Sequence, residues 1–442
     1  MEKIVYIPME SEPRELTAKT LLCTELAHRG YRCVMGQHDM VRKEFAAVEA
    51  PGVLIDKDYK KAAMPDWKPI SENGCAIYAF DEEAVVYETP EIYCDMRVGE
   101  ENIALAKGIF LWGEDNGDVI SLTCPEIREK GHITGNPRMD LLGKKVKYFY
   151  GDKSAEYRKK YGPYILINSH HGYARSKNFY QNAVGRVSDE TMKYIETQEE
   201  YRRKNLDEFI KGIRILAKKW GKNVIIRPHP NENGCRQEFI DGFKDMPNVH
   251  VILEGDSNAW IDGAEIMVHS GCSTCFEAYE AGKISVLYQP LYVEEFDRPF
   301  PNRLSDLTRT PKELCDTVFD YLEGRKSKTD FFTPEKQKLI RSRINRDPEK
   351  LACQLIGDVL DKNEYEDKKS IIPVKKTLKN RVKIPVRMVQ RKFRKNMYQK
   401  FDYIAPSKIK NLVERSKKAL GINDEIKVTE LQYNIFLFEK KC

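Results

Sequence analysis

Residues 265–283 read EIMVHSGCSTCFEAYEAGK, an apolar run followed by small residues and then by a second apolar pattern. The run at 266–268 predicts a buried strand, and residues 276–281 predict a helix that Gly282 ends. Hydroxyl-bearing residues fill the turn between them. Because the first N–H groups of a helix lack intrahelical partners and the helix dipole is positive there, this arrangement favours an anion site. An ordinary βα turn with a Ser or Thr N-cap is the alternative.

A second turn of this kind lies upstream, where the apolar residues 223–226 are followed by Arg227, Pro228 and His229. Proline fixes φ and extends the residue before it, so His229 is expected to be held rigidly beyond the carboxyl end of a strand. Open α/β sheets bind ligands at that end. Arginine offers a planar fork to phosphate oxygens, and histidine can donate to a phosphate. The two turns together predict a nucleotide site that contains Arg227, His229, Ser270, Gly271, Ser273 and Thr274.

Length and composition set the bounds. The 442 residues are enough for two or three domains. No run approaches the ~18 apolar residues of a membrane span, and the N-terminal residues lack the pattern of a secretory signal. The eleven cysteines are scattered, which suits a reducing compartment better than a disulfide framework. We therefore expect a cytoplasmic protein.

Charge is concentrated near the C-terminus. Residues 368–418 carry 18 Lys and Arg and only two acids, although the whole chain is only +6, so the remainder is acidic. An acidic body argues against nucleic acid as a partner. Apolar residues recur at helical spacing among the basic ones, which predicts a basic amphipathic helix over 376–401 that lies on an anionic membrane surface. A helix that docks on a partner protein or on the body is the alternative.

Strands and helices alternate through both halves of the chain. The pattern predicts an α/β protein with two Rossmann-like, doubly wound parallel-sheet domains, at 1–150 and 151–365, followed by a basic helical tail at 366–442. The adjacent carboxylates at 81–83 repel each other, which can raise a pKa and keep one of them as a general base; a solvated acidic turn is equally open. Turns at other strand ends supply further candidate substrate contacts, namely Glu10, Arg14, Asp115, Asn136, Arg138 and His170.

Several motifs carry a resemblance to a known family. They are YIPME (6–10), REL (14–16), FDEE (80–83), WG (112–113), TGNPRMD (134–140), RPHP (227–230) and HSGCST (269–274) with EA (277–278). In this order they resemble the bacterial surface carbohydrate biosynthesis proteins, over roughly residues 3–360. That family implies the GT-B glycosyltransferase fold, akin in architecture to UDP-N-acetylglucosamine 2-epimerases. The last two motifs are also similar to those of bacterial polysialyltransferases and of transferases that use CMP-Kdo.

The resemblance implies a metal-independent glycosyltransferase without a cofactor. His229, Ser273 and Thr274 would hold the phosphate of a CMP-sugar, with Glu277 also at the nucleotide, and Glu82 or Glu83 would activate an acceptor hydroxyl. The acceptor would be a glycan or a lipid-linked glycan of capsule or lipopolysaccharide type, which fits a peripheral position on the inner face of the cell membrane. The sequence has Ala84 where a glycine is usual in the acidic motif. A nucleotide-sugar 2-epimerase, a CDP-alditol phosphotransferase and a non-catalytic nucleotide-sugar-binding scaffold are the alternatives.

Overall fold

The protein is described by a computed structural model at residues 3–46, 51–87, 89–171, 189–229, 236–296, 299–362 and 403–441. It consists of two compact units. The first runs to Leu141 and resumes at Arg341, and the second is Leu142–Ile340. Each unit is built on its own sheet, so the predicted α/β class with two sheets is confirmed.

The strands are short and are numbered in chain order. They are β1 Lys3–Met9, β2 Tyr31–Gln37, β3 Val53–Asp56, β4 Ala76–Ala79, β5 Gly108–Leu111, β6 Gly131–Ile133, β7 Tyr164–Asn168, β8 Asn223–Arg227, β9 Val249–Val251, β10 Ile266–His269, β11 Ser285–Tyr288, β12 Asp306–Thr308, β13 Ile426–Gln432 and β14 Ile435–Lys440.

The α-helices of six or more residues are numbered in the same way. They are α1 Glu12–His28, α2 Met64–Glu72, α3 Pro90–Arg97, α4 Glu100–Leu105, α5 Glu114–Ile120, α6 Gly151–Tyr161, α7 Asp189–Trp220, α8 Arg236–Phe243, α9 Ser257–Gly263, α10 Thr274–Glu280, α11 Pro299–Leu304, α12 Pro311–Leu322, α13 Pro334–Arg343, α14 Ala352–Asp361 and α15 Pro406–Leu420.

The first sheet has the order β13-β14-β2-β1-β3-β4-β5-β6. Strands β1 to β6 are mutually parallel, so their carboxyl ends meet at one edge of the sheet. Strand β14 pairs antiparallel with β2, and β13 pairs antiparallel with β14. The prediction of a purely parallel sheet is therefore wrong for the first unit, whose sheet is mixed.

The second sheet has the order β12-β11-β10-β7-β8-β9, and each neighbouring pair is parallel. Its central strands are almost entirely apolar and buried, as expected for a sheet covered on both faces. The last residues of three adjacent strands are in register, with Asn168 paired to His269 on one side and to Arg227 on the other. The turns after β10, β7 and β8 therefore begin side by side.

The predicted strand, turn and helix at 265–283 are confirmed. Gly271 has a φ of +86°, in the left-handed region that glycine adopts most easily, and it allows the chain to turn sharply from β10 into α10. Gly282, with a φ of +70°, follows the end of α10.

The compact units do not follow the predicted boundaries, because the chain returns to the first unit after Ile340. Buried Asp140 accepts the backbone N–H groups of Ala352 (2.9 Å) and Cys353 (3.0 Å) at the start of α14. Burial raises the pKa of Asp140 to about 6, although these two hydrogen bonds oppose the rise. Asn345 N–H donates to the carbonyl of Trp112 at 2.6 Å. Residues 341–361 therefore belong with the first unit, not with a domain at 151–365.

The described part of the predicted tail also belongs to the first unit. Helix α15 packs on α1, where Lys408 pairs with Glu12 at 2.6 Å, and Ile404 N–H donates to the Asn434 side chain at 2.9 Å. Strands β13 and β14 extend the first sheet, so residues 403–441 are not a purely helical tail. The predicted helix at 376–401 lies outside the described residues. None of the helices that the structure describes is long and apolar enough to cross a membrane.

Candidate functional site

The acidic turn that follows β4 is held by basic side chains. Asp81 is buried and accepts Arg97 Nε at 2.8 Å and the Tyr93 hydroxyl at 3.0 Å. Glu83 forms an ion pair with Arg14. Although its desolvation acts in the opposite direction, the charge of Arg14 lowers the pKa of Glu83 to about 2. The raised pKa expected from mutual repulsion is therefore wrong for Glu83, because each of these two carboxylates has a cation of its own.

Glu82 is held more loosely than its two neighbours. Its Oε1 lies 3.5 Å from Lys19 Nζ, and its Oε2 lies 3.4 Å from Asn136 Nδ2. Only 11% of the Glu82 side chain is exposed. Of the two carboxylates predicted as a base, Glu82 makes only long contacts, whereas Glu83 is in a direct ion pair. The geometry therefore favours Glu82 as the group that could accept a proton.

Asp115, a predicted substrate contact, already has protein partners. Its Oδ2 accepts the Ser342 hydroxyl at 3.0 Å and lies 3.0 Å from Arg343 Nε. The returning segment after Ile340 therefore occupies this carboxylate. Glu10 remains partly exposed, and its Oε2 pairs with Lys57 at 2.6 Å.

Asn136 and Arg138 both contact the acidic turn, as their predicted position at a strand end requires. Asn136 is buried, and its Oδ1 caps the next helical turn by accepting the N–H of Arg138 at 2.9 Å. The Arg138 guanidinium donates to the carbonyl of Glu82 at 3.4 Å and lies over the Trp112 ring at 5.7 Å. These residues support the turn that carries Glu82.

In the second unit, contacts among five residues join the turns after β7, β8 and β10. Ser270 Oγ accepts the N–H of His170 at 2.7 Å. Thr274 Oγ1 accepts Asn168 Nδ2 at 3.0 Å. The rings of His170 and His229 meet edge to face with centroids 4.8 Å apart. The structure thus brings together His229, Ser270, Thr274 and His170, all of which the sequence predicted, and adds Asn168.

The two hydroxyl groups are set to donate. A hydroxyl has one proton, and the oxygens of Ser270 and Thr274 each already accept a hydrogen bond. Among the described residues, neither hydroxyl donates to a protein acceptor. Asn168 is buried, and its Oδ1 also has no hydrogen-bond partner in this part of the structure. The cluster formed by Asn168, His170, His229, Ser270 and Thr274, called here the hydroxyl–imidazole cluster, therefore suits a ligand that accepts hydrogen bonds.

His269 shapes the turn instead of contacting a ligand. It is fully buried, and its Nδ1 accepts the N–H groups of Gly271 and Cys272, each at 3.2 Å. The ring proton must therefore be on Nε2, which donates to Ser305 Oγ at 2.7 Å. Burial lowers the pKa of His269 to about 3, so the ring is neutral. The Gly271 N–H, predicted to bind phosphate, is used within the protein.

Arg227 also differs from its predicted role. Its guanidinium donates to the carbonyls of Glu254 (2.6 Å), Gly255 (2.8 Å) and Leu253 (3.5 Å) and lies over the Trp260 ring at 5.6 Å. Burial lowers its pKa to about 10. Arg227 thus fixes the loop between β9 and α9, and the phosphate contact predicted for it is not supported by this geometry.

Ser273 and Glu277 keep positions compatible with their predicted roles. Ser273 stands at the N-cap of α10 without a capping hydrogen bond from its side chain, and Glu277 is buried one turn further on. Cys272 and Cys275 are buried thiols. The residues that the structure describes contain no group of three His, Cys, Asp or Glu side chains placed to hold a metal ion.

Two buried histidines predict acid sensitivity of the second unit. His171 packs against Phe209, with ring centroids 5.0 Å apart, and burial lowers its pKa to about 3, as it does for His269. A histidine whose folded pKa is depressed stabilises fully only above its unfolded pKa of ~6.5, and this stability is lost as the pH falls below that value.

We expect His171→Phe to flatten this pH dependence. When the pH is lowered from about 7.5 to about 5.5, His171 should reduce the free energy of unfolding of the wild-type protein by ~1.4 kcal/mol. The reason is that His171 takes up a proton in the unfolded chain but stays neutral in the folded chain. Between the two pH values, the free energy of unfolding of the variant, measured with urea, should fall by ~1.4 kcal/mol less than that of the wild-type protein. Equal losses in both proteins would contradict the prediction.

Comparison with other proteins identifies the fold. No protein-family model and no curated protein matches the chain. A Listeria monocytogenes protein assigned as a UDP-N-acetylglucosamine 2-epimerase matches with a TM-score of 0.51 at 10% identity, covering 84% of this chain and 99% of its own. Another UDP-N-acetylglucosamine 2-epimerase gives 0.50 at 12% identity over 84% and 100%.

The wall teichoic acid polymerase TagF, solved as a variant soaked with CDPG, matches with a TM-score of 0.51 at 9% identity, covering 81% of this chain and 88% of that one. At such low identity these matches show the fold alone. The chain has two Rossmann-like units of the GT-B type, the fold that the sequence resemblance implied.

Proposed function

We propose that this chain is a glycosyltransferase of surface polysaccharide biosynthesis that uses a nucleotide-activated sugar, with a CMP-linked donor favoured. The observation that carries the proposal is the hydroxyl–imidazole cluster at the carboxyl edge of the second sheet. It joins three strand-end turns and presents the hydroxyl protons of Ser270 and Thr274 beside two imidazoles. A phosphate group offers several acceptor oxygens and no obligatory donor, so it matches this cluster.

For the proposed reaction we assign the phosphate of the donor to the hydroxyl–imidazole cluster and the role of general base for the acceptor hydroxyl to Glu82. A bond forms between the acceptor hydroxyl oxygen and the anomeric carbon, while the bond from that carbon to the phosphate oxygen breaks. The hydroxyl proton passes to Glu82, and the electron pair leaves with the phosphate, as CMP if the donor is CMP-linked. Ser270, Thr274 and His229 stabilise the charge that develops on the departing phosphate.

The choice of nucleotide is tested by thermal shift with CMP, CDP, UDP and GDP. A nucleotide that binds only the folded protein raises the melting temperature, and at about 100 times its Kd it stabilises by ~2.7 kcal/mol. We expect the largest shift with CMP. A larger shift with CDP would favour an alditol phosphotransferase, and one with UDP would favour an epimerase.

The assignment of the cluster is tested in the same assay with Thr274→Val. Loss of a hydrogen bond to a charged group costs ~1.5–3 kcal/mol, so the nucleotide should bind roughly 10- to 100-fold more weakly. Thr197→Val is the matched control, because Thr197 is exposed on α7 and donates only to the Lys193 carbonyl at 2.9 Å. Equal nucleotide-induced shifts in the two variants would exclude Thr274 from the site.

A further inference from the structure

We infer that Lys19 is a positioning residue for Glu82, an inference that rests on the proposed function. Lys19 lies on α1 and is only 3% exposed. A side chain so deeply buried does not reach a bound substrate, so its effect must pass through the protein groups that it contacts.

The Lys19 ammonium makes two hydrogen bonds and one longer ion pair within the first unit. Nζ lies 2.6 Å from the Pro8 carbonyl, 2.6 Å from Glu15 Oε2 and 3.5 Å from Glu82 Oε1. The first two contacts are short, so they fix the ammonium at the end of β1. The third contact is a longer ion pair with the carboxylate proposed as the base.

Glu15 makes this arrangement rigid. Its carboxylate accepts the N–H of Ser11 at 2.9 Å and that of Glu10 at 3.1 Å. The loop between β1 and α1, the Glu15 carboxylate and the Lys19 ammonium therefore form one buried hydrogen-bonded unit. Although desolvation opposes it, the charges of Glu15 and Glu82 raise the pKa of Lys19, so the ammonium stays charged.

Glu82 is held from other directions as well. Asn136 Nδ2 approaches its second oxygen at 3.4 Å, while Arg14 (3.0 Å) and Arg138 (3.4 Å) donate to its carbonyl. Among the described residues, the ion pair formed by Glu82 Oε1 is the one with Lys19, so we assign the orientation of that oxygen to Lys19. A general base acts only within hydrogen-bonding reach of its proton, and a displacement of about 1 Å can cost ~100-fold in rate.

The test is a double-mutant cycle on the release of CMP from CMP-N-acetylneuraminate, with water as the acceptor. Lys19→Met keeps an unbranched apolar chain of the length of the lysine carbons and removes the charged ammonium. We expect it to lower kcat ~10- to 100-fold with KM unchanged, because Glu82 would lose its orientation. In a Glu82→Gln background the same change should lower kcat less than about 2-fold, since no base remains to be oriented. Multiplicative losses, or a change confined to KM, would overturn the inference.

Two further measurements keep the result interpretable. If Lys19→Met does not fold, Glu15→Gln takes its place in the cycle, because it loosens the ammonium and leaves the Lys19 charge intact. If the wild-type protein releases no CMP, the proposed function fails by itself. The positioning role is then decided by crystal structures of wild type and Lys19→Met, in which an unchanged Glu82 side-chain conformation would refute it.

Discussion

Replacing His229 with alanine is expected to lower the rate of sugar transfer by ~100- to 1000-fold, the range found when one well-aimed donor to developing charge is removed. His229 follows Pro228 at the carboxyl end of β8, and its ring meets that of His170. It is half-buried in a turn rather than in the core, so we expect the fold to persist. The measurement is kcat for CMP release from the CMP-sugar, together with circular dichroism of the variant.

His250→Ala is the matched control for this variant. His250 belongs to the same unit but lies on β9, where its Nε2 bonds the Asn223 side chain at 2.8 Å. Its loss should lower stability modestly and leave kcat near the wild-type value. If His229→Ala turned over at the wild-type rate, His229 would have no part in the chemistry, and the hydroxyl–imidazole cluster would be at most a binding site.

The second large effect is expected from Gly113→Ala. A Cβ at this position would clash with the Ser342 carbonyl oxygen and would lie 2.6 Å from the Arg343 carbonyl carbon. Both are backbone atoms and cannot move aside independently. Overpacking typically costs ~1–3 kcal/mol, and displacement of the segment would also break the hydrogen bond from Asn345 to Trp112, so we expect ~3 kcal/mol or more. Thermal unfolding and limited proteolysis at 341–346 measure the effect.

Gly151→Ala is the control for a glycine without such a neighbour. Gly151 is the first residue of α6, and its nearest contact would be Lys147 Cβ at 3.9 Å, an ordinary van der Waals distance. Alanine there should be neutral or stabilising by up to ~1 kcal/mol. A Gly113→Ala protein as stable and as protease-resistant as Gly151→Ala would show that residues 342–343 do not pack against this glycine.

Local sequence patterns predicted the elements that carry the candidate site. Apolar runs ending in small or polar residues identify strands such as β8 and β10, and parallel sheets bring the carboxyl ends of such strands together. That reasoning put His229, Ser270 and Thr274 at one edge of one sheet, and in the structure β7 lies between the two strands that carry them. Asn168 could have been found in the same way, because it ends the apolar run of β7.

Predictions failed where a residue's partner is distant in the sequence. Arg227 binds the carbonyls of the loop at 253–255, and Asp115 binds side chains more than two hundred residues away, so the sequence alone could not show these protein partners. A motif shows which residue types are present but not which groups form hydrogen bonds or ion pairs with them. The pairing of Glu83 with Arg14 was hidden for the same reason.

The pairing of β14 with β2 constrains how the protein folds during its synthesis. The second unit is one continuous segment, so all its strands are available once residue 340 has left the ribosome. The first unit must wait about a hundred residues longer for the strand that covers β2, and during that delay the β2 edge is open to pairing with other chains. Translation speed and chaperone access across the last quarter of the message should therefore govern the yield of native protein.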